Sequence, residues 1–235
     1  MKRRVITIDG PSGTGKSTAA RHLARRIGYL YLDTGAMYRA VALLARREGI
    51  GWDNAPALAK LARRARITFR QHRGGNGRMR VLLNGRDVTA AIRRSEISGG
   101  ASQVAAVPEV RRALVRQQRA IGRGGGIVAE GRDTGTVVFP TAEIKFFLTA
   151  DVVERARRRH RELKEAGQPS AFSEVLRGVR ERDRRDRRRS ASPLRVAPGA
   201  IRVVNTQLKS AEVLAILYDY VRRRFPNRNI RGRTL

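Results

Sequence analysis

The sequence contains no cysteine, which excludes disulfide bonds and thiolate-ligated metal sites. Aromatic residues make up only 5% of the chain, and no segment interleaves basic and aromatic residues as base-stacking proteins do. No apolar run approaches the roughly 20 residues that a membrane-spanning helix needs. Because a strand-like segment begins at residue 5, we expect no signal peptide, and we predict a cytoplasmic protein without a membrane partner.

Acidic residues are also few, 20 against 51 lysines and arginines, and the net charge is +31. Six of the basic residues are lysine and 45 are arginine. Charge of this size indicates a nucleic acid or another polyanion as partner. An arginine-biased genome would also produce it, at surface positions where the choice of residue is not under selection. We favour a solvated arginine-rich surface with a basic active site over a nucleic-acid-binding face.

The most informative segment is residues 10–17, GPSGTGKS, which matches the phosphate-binding pattern G-x-x-x-x-G-K-[ST]. It lies between a predicted strand, Val5–Asp9, and a predicted helix, Lys16–Ile27. In this context the loop N–H groups and the helix dipole bind a β-phosphate. We expect Lys16 to face solvent without ligand and to reach the β- and γ-phosphates, and Ser17 to ligate Mg²⁺. The predicted ATP–Mg²⁺ site comprises Gly10, Ser12, Gly13, Thr14, Gly15, Lys16, Ser17 and Thr18.

Strand and helix patterns alternate along most of the chain, which predicts an α/β fold with a parallel sheet flanked by helices. The predicted strands are 5–9, 29–32, 126–129, 144–148 and 201–204, and the predicted helices are 16–27, 35–47, 107–121, 151–166, 173–189 and 210–224. Short strands at 66–71 and 79–83, a glycine-rich turn at 74–77 and the Asn84-Gly85 turn predict a small antiparallel insert. The basic residues 225–235 are expected to form a frayed tail.

Polar residues follow the second predicted strand in the segment DTGAMYR, residues 33–39. Asp33 or Thr34 is placed to cap the next helix, and Tyr38 and Arg39 follow one turn later. An aromatic ring and a cation at this position suit a flat base and a phosphate. A plain capped helix is the alternative interpretation of the same residues.

A second polar cluster, EGRDTG at residues 130–135, ends the third predicted strand of the sheet. The Glu130 carboxylate would lie beside the phosphate loop if the two strands are neighbours. Arg132 and Asp133 suit a phosphate and a polar base edge. By itself this short motif is weak evidence for a site.

Seven of the ten residues from 180 to 189 are arginine, and a solvated helix face is the ordinary interpretation of such a run. Helical spacing, however, places Arg182, Asp186 and Arg189 on one face, while Arg184 and Arg187 point elsewhere. Two cations around a carboxylate suit two phosphates and a sugar hydroxyl. The preceding predicted helix adds a second cationic surface, and the breaker-containing segment 167–170 joins the two helices, which predicts a lid. That second surface comprises Arg155, Arg158, Arg159 and Arg161.

In this order, from about residue 5 to about residue 220, the segments closely resemble the bacterial cytidylate kinases, the long-insert branch of the nucleoside monophosphate kinases. The strings that carry the resemblance are residues 6–13 (ITIDGPSG), 33–39 (DTGAMYR), 101–106 (ASQVAA), 131–140 (GRDTGTVVFP) and 182–187 (RDRRDR). The departures are mild: Ser17, Thr34 and Glu130 stand where we expect Gly, Ser and Asp in relatives.

The resemblance implies phosphoryl transfer from ATP to CMP, and also to dCMP, with Mg²⁺. It implies a core of residues 1–60, 100–150 and 190–225, a monophosphate-binding insert at 61–99, a helical lid at 151–189 and a tail at 226–235. Because the sequence shows no long apolar helical seam, we also expect a monomer.

The family's site positions are matched residue by residue. The resemblance implies that Arg39, Arg132 and Arg182 hold the CMP phosphate, that Asp186 takes the ribose, and that Ser102, Arg111 and Asp133 read cytosine. Thr34, Tyr38 and Arg189 match further monophosphate-site or lid positions, and Arg158 an ATP-binding one. The implied catalytic residues are Lys16, Arg132, Arg182 and Arg189.

Three other functions use some of the same features. A P-loop ATPase that acts on nucleic acid would explain the charge and predicts hydrolysis that nucleic acid stimulates. A kinase for UMP, AMP or shikimate would share the loop but not the Ser102, Arg111 and Asp133 set. A non-catalytic nucleotide-binding protein would have no use for the lid arginines.

Overall fold

A computed structural model describes residues 4–71 and 79–226. Its strands are β1 (Val5–Asp9), β2 (Leu30–Asp33), β3 (Ile67–Gln71), β4 (Met79–Leu83), β5 (Arg86–Asp87), β6 (Ile127–Gly131), β7 (Ile144–Thr149) and β8 (Ile201–Val204). Its helices are α1 (Lys16–Ile27), α2 (Thr34–Arg47), α3 (Ala55–Arg64), α4 (Ser95–Val104), α5 (Pro108–Gly122), α6 (Val152–Glu165), α7 (Phe172–Arg188) and α8 (Ser210–Arg224). A 3₁₀ turn spans Ala91–Arg93 and a π-helical turn spans Thr134–Val138.

The main sheet has five parallel strands in the order β2-β6-β1-β7-β8, which confirms the predicted α/β architecture. The β-branched and aromatic side chains of β1, β6 and β7 are buried against α1 and α8. In the register of β1 and β6, Ile8 pairs with Glu130 and Asp9 with Gly131. The loops after these two strands therefore begin side by side, at the edge where parallel sheets bind ligands.

The second sheet is antiparallel and has the order β3-β4-β5, as the sequence predicts. Asn84 and Gly85 both have positive φ, 50° and 83°, the conformation of a tight hairpin turn that suits these two residues. The predicted glycine-rich turn at 74–77 lies outside the described residues. Helices α2, α3, α4 and α5 enclose a second apolar core together with β3 and β4.

The sequence did not predict α3 and α4. Helix α4, SEISGGASQV, has the serine and glycine content of a loop. Tertiary packing overrides that preference, because Gly100 lies against the Trp52 ring and a Cβ at residue 100 would approach Trp52 to 2.3 Å. Other predicted boundaries differ from the observed ones by one or two residues.

The prediction that the tail begins to fray at Phe225 is wrong for that residue. Phe225 is 6% exposed and packs in the core beside α8, and the Arg4 guanidinium lies 4.1 Å from its ring centroid. Residues 227–235 lie outside the described part of the chain. Within the described ranges, no helix has the length and apolar character needed to cross a membrane.

Candidate active site

A cavity of about 300 Å³ opens at the carboxyl edge of the parallel sheet. The phosphate loop, the start of α2, helix α4, the end of β6 and helix α7 all contribute to its wall. Most of the predicted site residues line it: Ser12, Gly13, Gly15, Lys16, Ser17, Thr18, Thr34, Tyr38, Arg39, Ser102, Arg111, Arg132, Asp133, Arg182, Asp186 and Arg189. Gly10, Thr14 and Arg158 are predicted site residues that lie elsewhere.

Gly10 and Thr14 shape the phosphate loop from outside the cavity. Gly10 has φ 153°, and a Cβ there would meet the Leu148 carbonyl oxygen at 2.0 Å. The Thr14 hydroxyl is buried and donates to the Pro11 carbonyl oxygen at 3.1 Å. These contacts fix the path of the loop and leave the cavity wall to its other residues.

Lys16 is buried, not solvent-facing, so that prediction is wrong. The residue is 5% exposed, and its Nζ donates to the Pro11 carbonyl oxygen at 2.8 Å. Burial lowers the pKa of Lys16 to about 7; Arg132 contributes to this, and Glu130 opposes it. The loop thus folds back over its own lysine, and this hydrogen bond holds Nζ at the phosphate loop.

Glu130 lies beside the phosphate loop, where the neighbouring positions of β1 and β6 place it. The Ser17 hydroxyl donates to Glu130 Oε1 at 2.8 Å, and the Tyr31 hydroxyl to the same oxygen at 3.3 Å. Burial and the nearby Asp33 raise the pKa of Glu130, although Lys16 opposes the shift. A hydroxyl beside a carboxylate is an oxygen donor set that suits Mg²⁺.

No group of three or more His, Cys, Asp or Glu side chains in the described residues could hold a metal by itself. A magnesium ion binds through few protein ligands and takes its remaining ones from water and substrate phosphates. The donors beside the loop therefore fit an ion that arrives with a nucleotide.

Arg111 and Asp133 form a buried ion pair at the inner end of the cavity. They are 2% and 4% exposed, and Arg111 also donates to the Ala105 carbonyl oxygen at 3.1 Å. Its guanidinium lies 5.1 Å from the Tyr38 ring centroid. Burial raises the pKa of Tyr38 to about 12, against the opposing effect of Arg111, so the phenol stays neutral. A donor, an acceptor and an aromatic ring thus converge where a planar polar ligand would fit.

A cluster of cations lies between this pair and the phosphate loop. Arg132 donates through Nε to Asp186 Oδ2 at 2.8 Å, and Arg39 donates to Asp33 Oδ2 at 2.7 Å. Burial would raise the pKa of Asp186, but Arg132 and Arg182 hold it below its usual range. Burial, together with Arg132, lowers the pKa of Arg182 to about 10.

Arg39 and Arg182 each leave one buried donor for a ligand. Among the described residues, the buried Nε–H groups of Arg39 and Arg182 find no hydrogen-bond partner. Buried donors without partners are rare in proteins, and an anion between these side chains would satisfy both.

Helix α7 presents its residues to the cavity much as the helical spacing predicts. Arg182 and Asp186 face inward, whereas Arg184 and Arg187 are exposed. The helix ends at Arg188, one residue earlier than predicted. Arg189 still turns inward: its Nε donates to the Ser192 carbonyl oxygen at 2.6 Å, and its Nη2 lies 3.8 Å from Asp133 Oδ1.

Arg155 is buried and does not belong to the predicted cationic surface of the lid, so the prediction is wrong for this residue. Its guanidinium is buried and paired with Asp183. Arg158 instead lines a separate cavity of about 570 Å³ that also reaches the phosphate loop at Gly13 and Gly15. Arg158 Nη2 donates to the Asn205 carbonyl oxygen at 2.8 Å.

The contacts of two residues, Asp9 and Arg185, were not predicted from the sequence. Asp9 is 3% exposed and accepts from the Thr134 N–H at 2.9 Å and the Gly135 N–H at 2.7 Å; burial raises the pKa of this carboxyl. An acidic residue ending an otherwise apolar strand was the available signal. Arg185 donates to the Ser102 hydroxyl at 2.9 Å, a contact between distant segments that no local pattern could indicate.

The glycine-rich loop lies between β1 and α1, at the carboxyl edge of a parallel sheet and below an arginine-bearing helix pair. This arrangement defines a P-loop nucleotide-binding protein. The sequence model of the cytidylate kinase family matches residues 6–223. The chain belongs to the cytidylate kinase family.

Two sequence relatives agree with this assignment. The chain is similar to the cytidylate kinase of Solibacter usitatus (strain Ellin6076), with 46% identity over 97% of this chain and 96% of that protein. It is 50% identical over 90% of its length to the bifunctional pantoate ligase/cytidylate kinase of Synechococcus sp. (strain JA-3-3Ab), and it spans 39% of the length of that relative. The structure also aligns with that of a solved shikimate kinase from Bacteroides thetaiotaomicron, with a TM-score of 0.47 and 10% identity. The alignment covers 93% of this chain and 98% of the shikimate kinase chain.

Proposed function

We propose that this chain transfers the γ-phosphoryl group of ATP to CMP, forming ADP and CDP, and that it also accepts dCMP. The observation that carries the proposal is the buried Arg111–Asp133 pair, separated from the phosphate loop by a cluster of arginines. It supplies one donor and one acceptor for a base at the far end of a phosphate-binding cavity. The family assignment supports the same reaction.

Base choice follows from the donor and acceptor pattern of the pyrimidine ring. Cytosine carries an amino donor at N4 next to acceptors at N3 and O2. The Asp133 carboxylate accepts from N4–H, and the Arg111 guanidinium donates to N3 or O2. Uracil reverses the pattern at both atoms, so that each contact becomes unpaired or repulsive. Unpaired polar groups in a buried site cost enough to reject the wrong base.

The remaining residues of the site handle phosphate and ribose. Arg39, Arg132 and Arg182 bind the phosphate of CMP, and the orphaned Nε–H groups of Arg39 and Arg182 gain an acceptor when it binds. Asp186 accepts from a ribose hydroxyl. Lys16 turns from the Pro11 carbonyl oxygen to the β- and γ-phosphates of ATP.

Catalysis of this kind is mostly positioning and charge neutralisation. Mg²⁺, bound with ATP, neutralises phosphate charge, and Ser17, beside Glu130, is the residue that would hold it. The phosphate of CMP, already anionic at neutral pH, attacks the γ-phosphoryl group in line. Lys16, Arg132, Arg182 and Arg189 spread the negative charge of the transferring group.

Exclusion of water explains the two-part architecture around the core. We propose that residues 151–189 act as the lid and residues 61–99 as the insert that positions CMP, and that closure of the lid suppresses ATP hydrolysis. We propose further that the protein acts as a monomer in the cytoplasm. Among the described residues, Val204 and Tyr220 are the only exposed large apolar side chains, which supports the monomer.

A coupled ADP-release assay with four acceptors tests the proposed function. We expect rapid turnover with CMP, turnover with dCMP, and much slower turnover with UMP and AMP. Equal rates for all four acceptors would contradict the base-recognition argument. ADP release that needs DNA or RNA instead of CMP, and that falls steeply with added salt, would support the ATPase alternative.

A further inference from the structure

Arg155 connects the phosphate loop to the lid through three hydrogen bonds. Its Nε donates to the Ala150 carbonyl oxygen at 3.0 Å, its Nη1 to the Ser12 carbonyl oxygen at 3.1 Å, and its Nη2 to Asp183 Oδ2 at 2.7 Å. Arg155 is 3% exposed. The guanidinium therefore joins the end of β7, the phosphate loop and helix α7 at one buried point.

The backbone is packed as closely as the side chain. A Cβ at Gly13 would lie 3.1 Å from both the Cβ and the carbonyl oxygen of Arg155. The first turn of α6 thus rests directly on the phosphate loop. Because a peptide unit is planar, a guanidinium that holds the Ser12 carbonyl oxygen also fixes the direction of the Gly13 N–H on the other side of that peptide.

Asp183 places the other end of this connection next to the site. It is 7% exposed and lies between Arg182 and Asp186 on α7. Within the described chain, its Oδ1 has no hydrogen-bond partner, so that its bond to Arg155 is the contact that holds the carboxylate. Because Arg182 and Asp186 lie on the same helix, a displacement of the α7 backbone at Asp183 also moves these two cavity-lining residues.

We propose that Arg155 is a positioning residue that transmits triphosphate binding at the phosphate loop to helix α7 through Asp183. Arg155 does not line the active-site cavity, so it acts through residues that do. Movement of the Ser12 peptide when phosphate binds displaces the guanidinium, and the ion pair carries that displacement to α7. The kinetic part of the inference rests on the proposed function, whereas the conformational part needs the triphosphate site alone.

Two conservative variants separate the connections that Arg155 makes. Arg155→Lys keeps a cation near Asp183, but a single ammonium has no planar fork with which to hold Ser12, Ala150 and Asp183 together. Asp183→Asn keeps an acceptor oxygen and removes the charge. Arg187→Lys, on the exposed side of α7, is the matched control.

The first readout is tryptic cleavage within α7, whose exposed arginines are cleavage sites, with and without AMP-PNP and Mg²⁺. We expect AMP-PNP to slow cleavage about tenfold in the parent and in Arg187→Lys, and less than about twofold in Arg155→Lys and Asp183→Asn. Equal protection in all four proteins would overturn the inference, as would a parent that AMP-PNP does not protect.

The second readout is steady-state kinetics below the thermal transition of each variant. Arg155→Lys and Asp183→Asn should lower kcat about 10- to 100-fold, with KM for CMP within about threefold of the parent. The Arg155→Lys/Asp183→Asn double variant should have a kcat no lower than that of the poorer single variant, because the two substitutions break the same connection. A lowered Tm with parental kcat and parental protection would make Arg155 merely structural and overturn the inference. A parent that does not phosphorylate CMP, but whose protection disappears in the variants, would refute the proposed function and leave the inference standing.

Discussion

Replacement of Asp133 tests the buried ion pair at the base end of the cavity. Asp133→Ala leaves Arg111, 2% exposed, without its carboxylate partner. Removal of one member of a buried pair costs about 3–5 kcal/mol, because the remaining charge stays buried and uncompensated. For a chain of 150–250 residues, each kcal/mol lowers Tm by roughly 2–4 °C. We therefore expect Tm to fall by about 6–20 °C.

The same change should weaken discrimination between bases. Loss of one polar contact to a base edge reduces discrimination by about 1–3 kcal/mol. The preference for CMP over UMP, measured as the ratio of kcat/KM values, should narrow by about 5- to 150-fold. KM for CMP should rise, because the contact to N4–H is lost in the bound state.

Thermal unfolding and the two-acceptor assay check both effects. Asp133→Asn keeps the shape and one acceptor oxygen, so its Tm should lie between those of Asp133→Ala and the parent. Glu109→Ala, which breaks the exposed pair with Arg112, is the control and should change stability by less than about 0.5 kcal/mol. Our reasoning is refuted if Asp133→Ala slows CMP and UMP equally, or if its Tm matches that of Glu109→Ala.

Three further predictions concern other parts of the site. Lys16→Met should reduce phosphoryl transfer by orders of magnitude. In the parent, the unfolding free energy should rise from pH 7 to 10 by up to about 1.4 kcal/mol per pH unit, because in that window the unfolded chain keeps a proton on Lys16 that the folded chain has released. Lys16→Met should abolish this rise. Denaturant titrations at several pH values check the slope, and an unchanged slope would contradict the lowered pKa. Arg182→Ala should lower kcat/KM strongly, whereas substitution of the exposed Arg184 by alanine should leave kcat/KM nearly unchanged. Equal losses of kcat/KM in both variants that track ionic strength would indicate a diffuse electrostatic surface. Asp9→Asn replaces an acceptor of two backbone N–H groups by an amide, so it should cost about 1–3 kcal/mol of stability and raise KM for CMP, since the turn after Asp133 loosens. A Tm equal to that of Asp219→Asn, a partly exposed position on α8, would refute this.

The parallel sheet was predictable from the sequence because its signals are local. The β-branched residues of β1 and the loop pattern that follows them indicate strand, turn and helix without any tertiary information. Helix α4 was not predictable from the sequence, because its glycines are favourable only where Trp52 packs against Gly100. Such close contacts depend on residues distant in the chain.

The same distinction applies to the site. Helical spacing predicted correctly that Arg182 and Asp186 share a face that Arg184 avoids. The buried state of Lys16 was not predicted, because it depends on how the loop folds back onto the Pro11 carbonyl oxygen. The burial of Arg155 was missed for a similar reason: a buried arginine and a solvated one look alike in a run of arginines, and only the position of Asp183 on the neighbouring helix distinguishes them.

The central claim, that the Arg111–Asp133 pair directs phosphoryl transfer to cytosine nucleotides, is tested most directly by competition in one reaction. The protein is given γ-³²P-labelled ATP, Mg²⁺ and equimolar CMP and UMP, and the label in CDP, UDP and inorganic phosphate is separated by chromatography. We predict that nearly all transferred label appears in CDP and little in phosphate. Label divided equally between CDP and UDP, or recovered chiefly as inorganic phosphate, would contradict the claim.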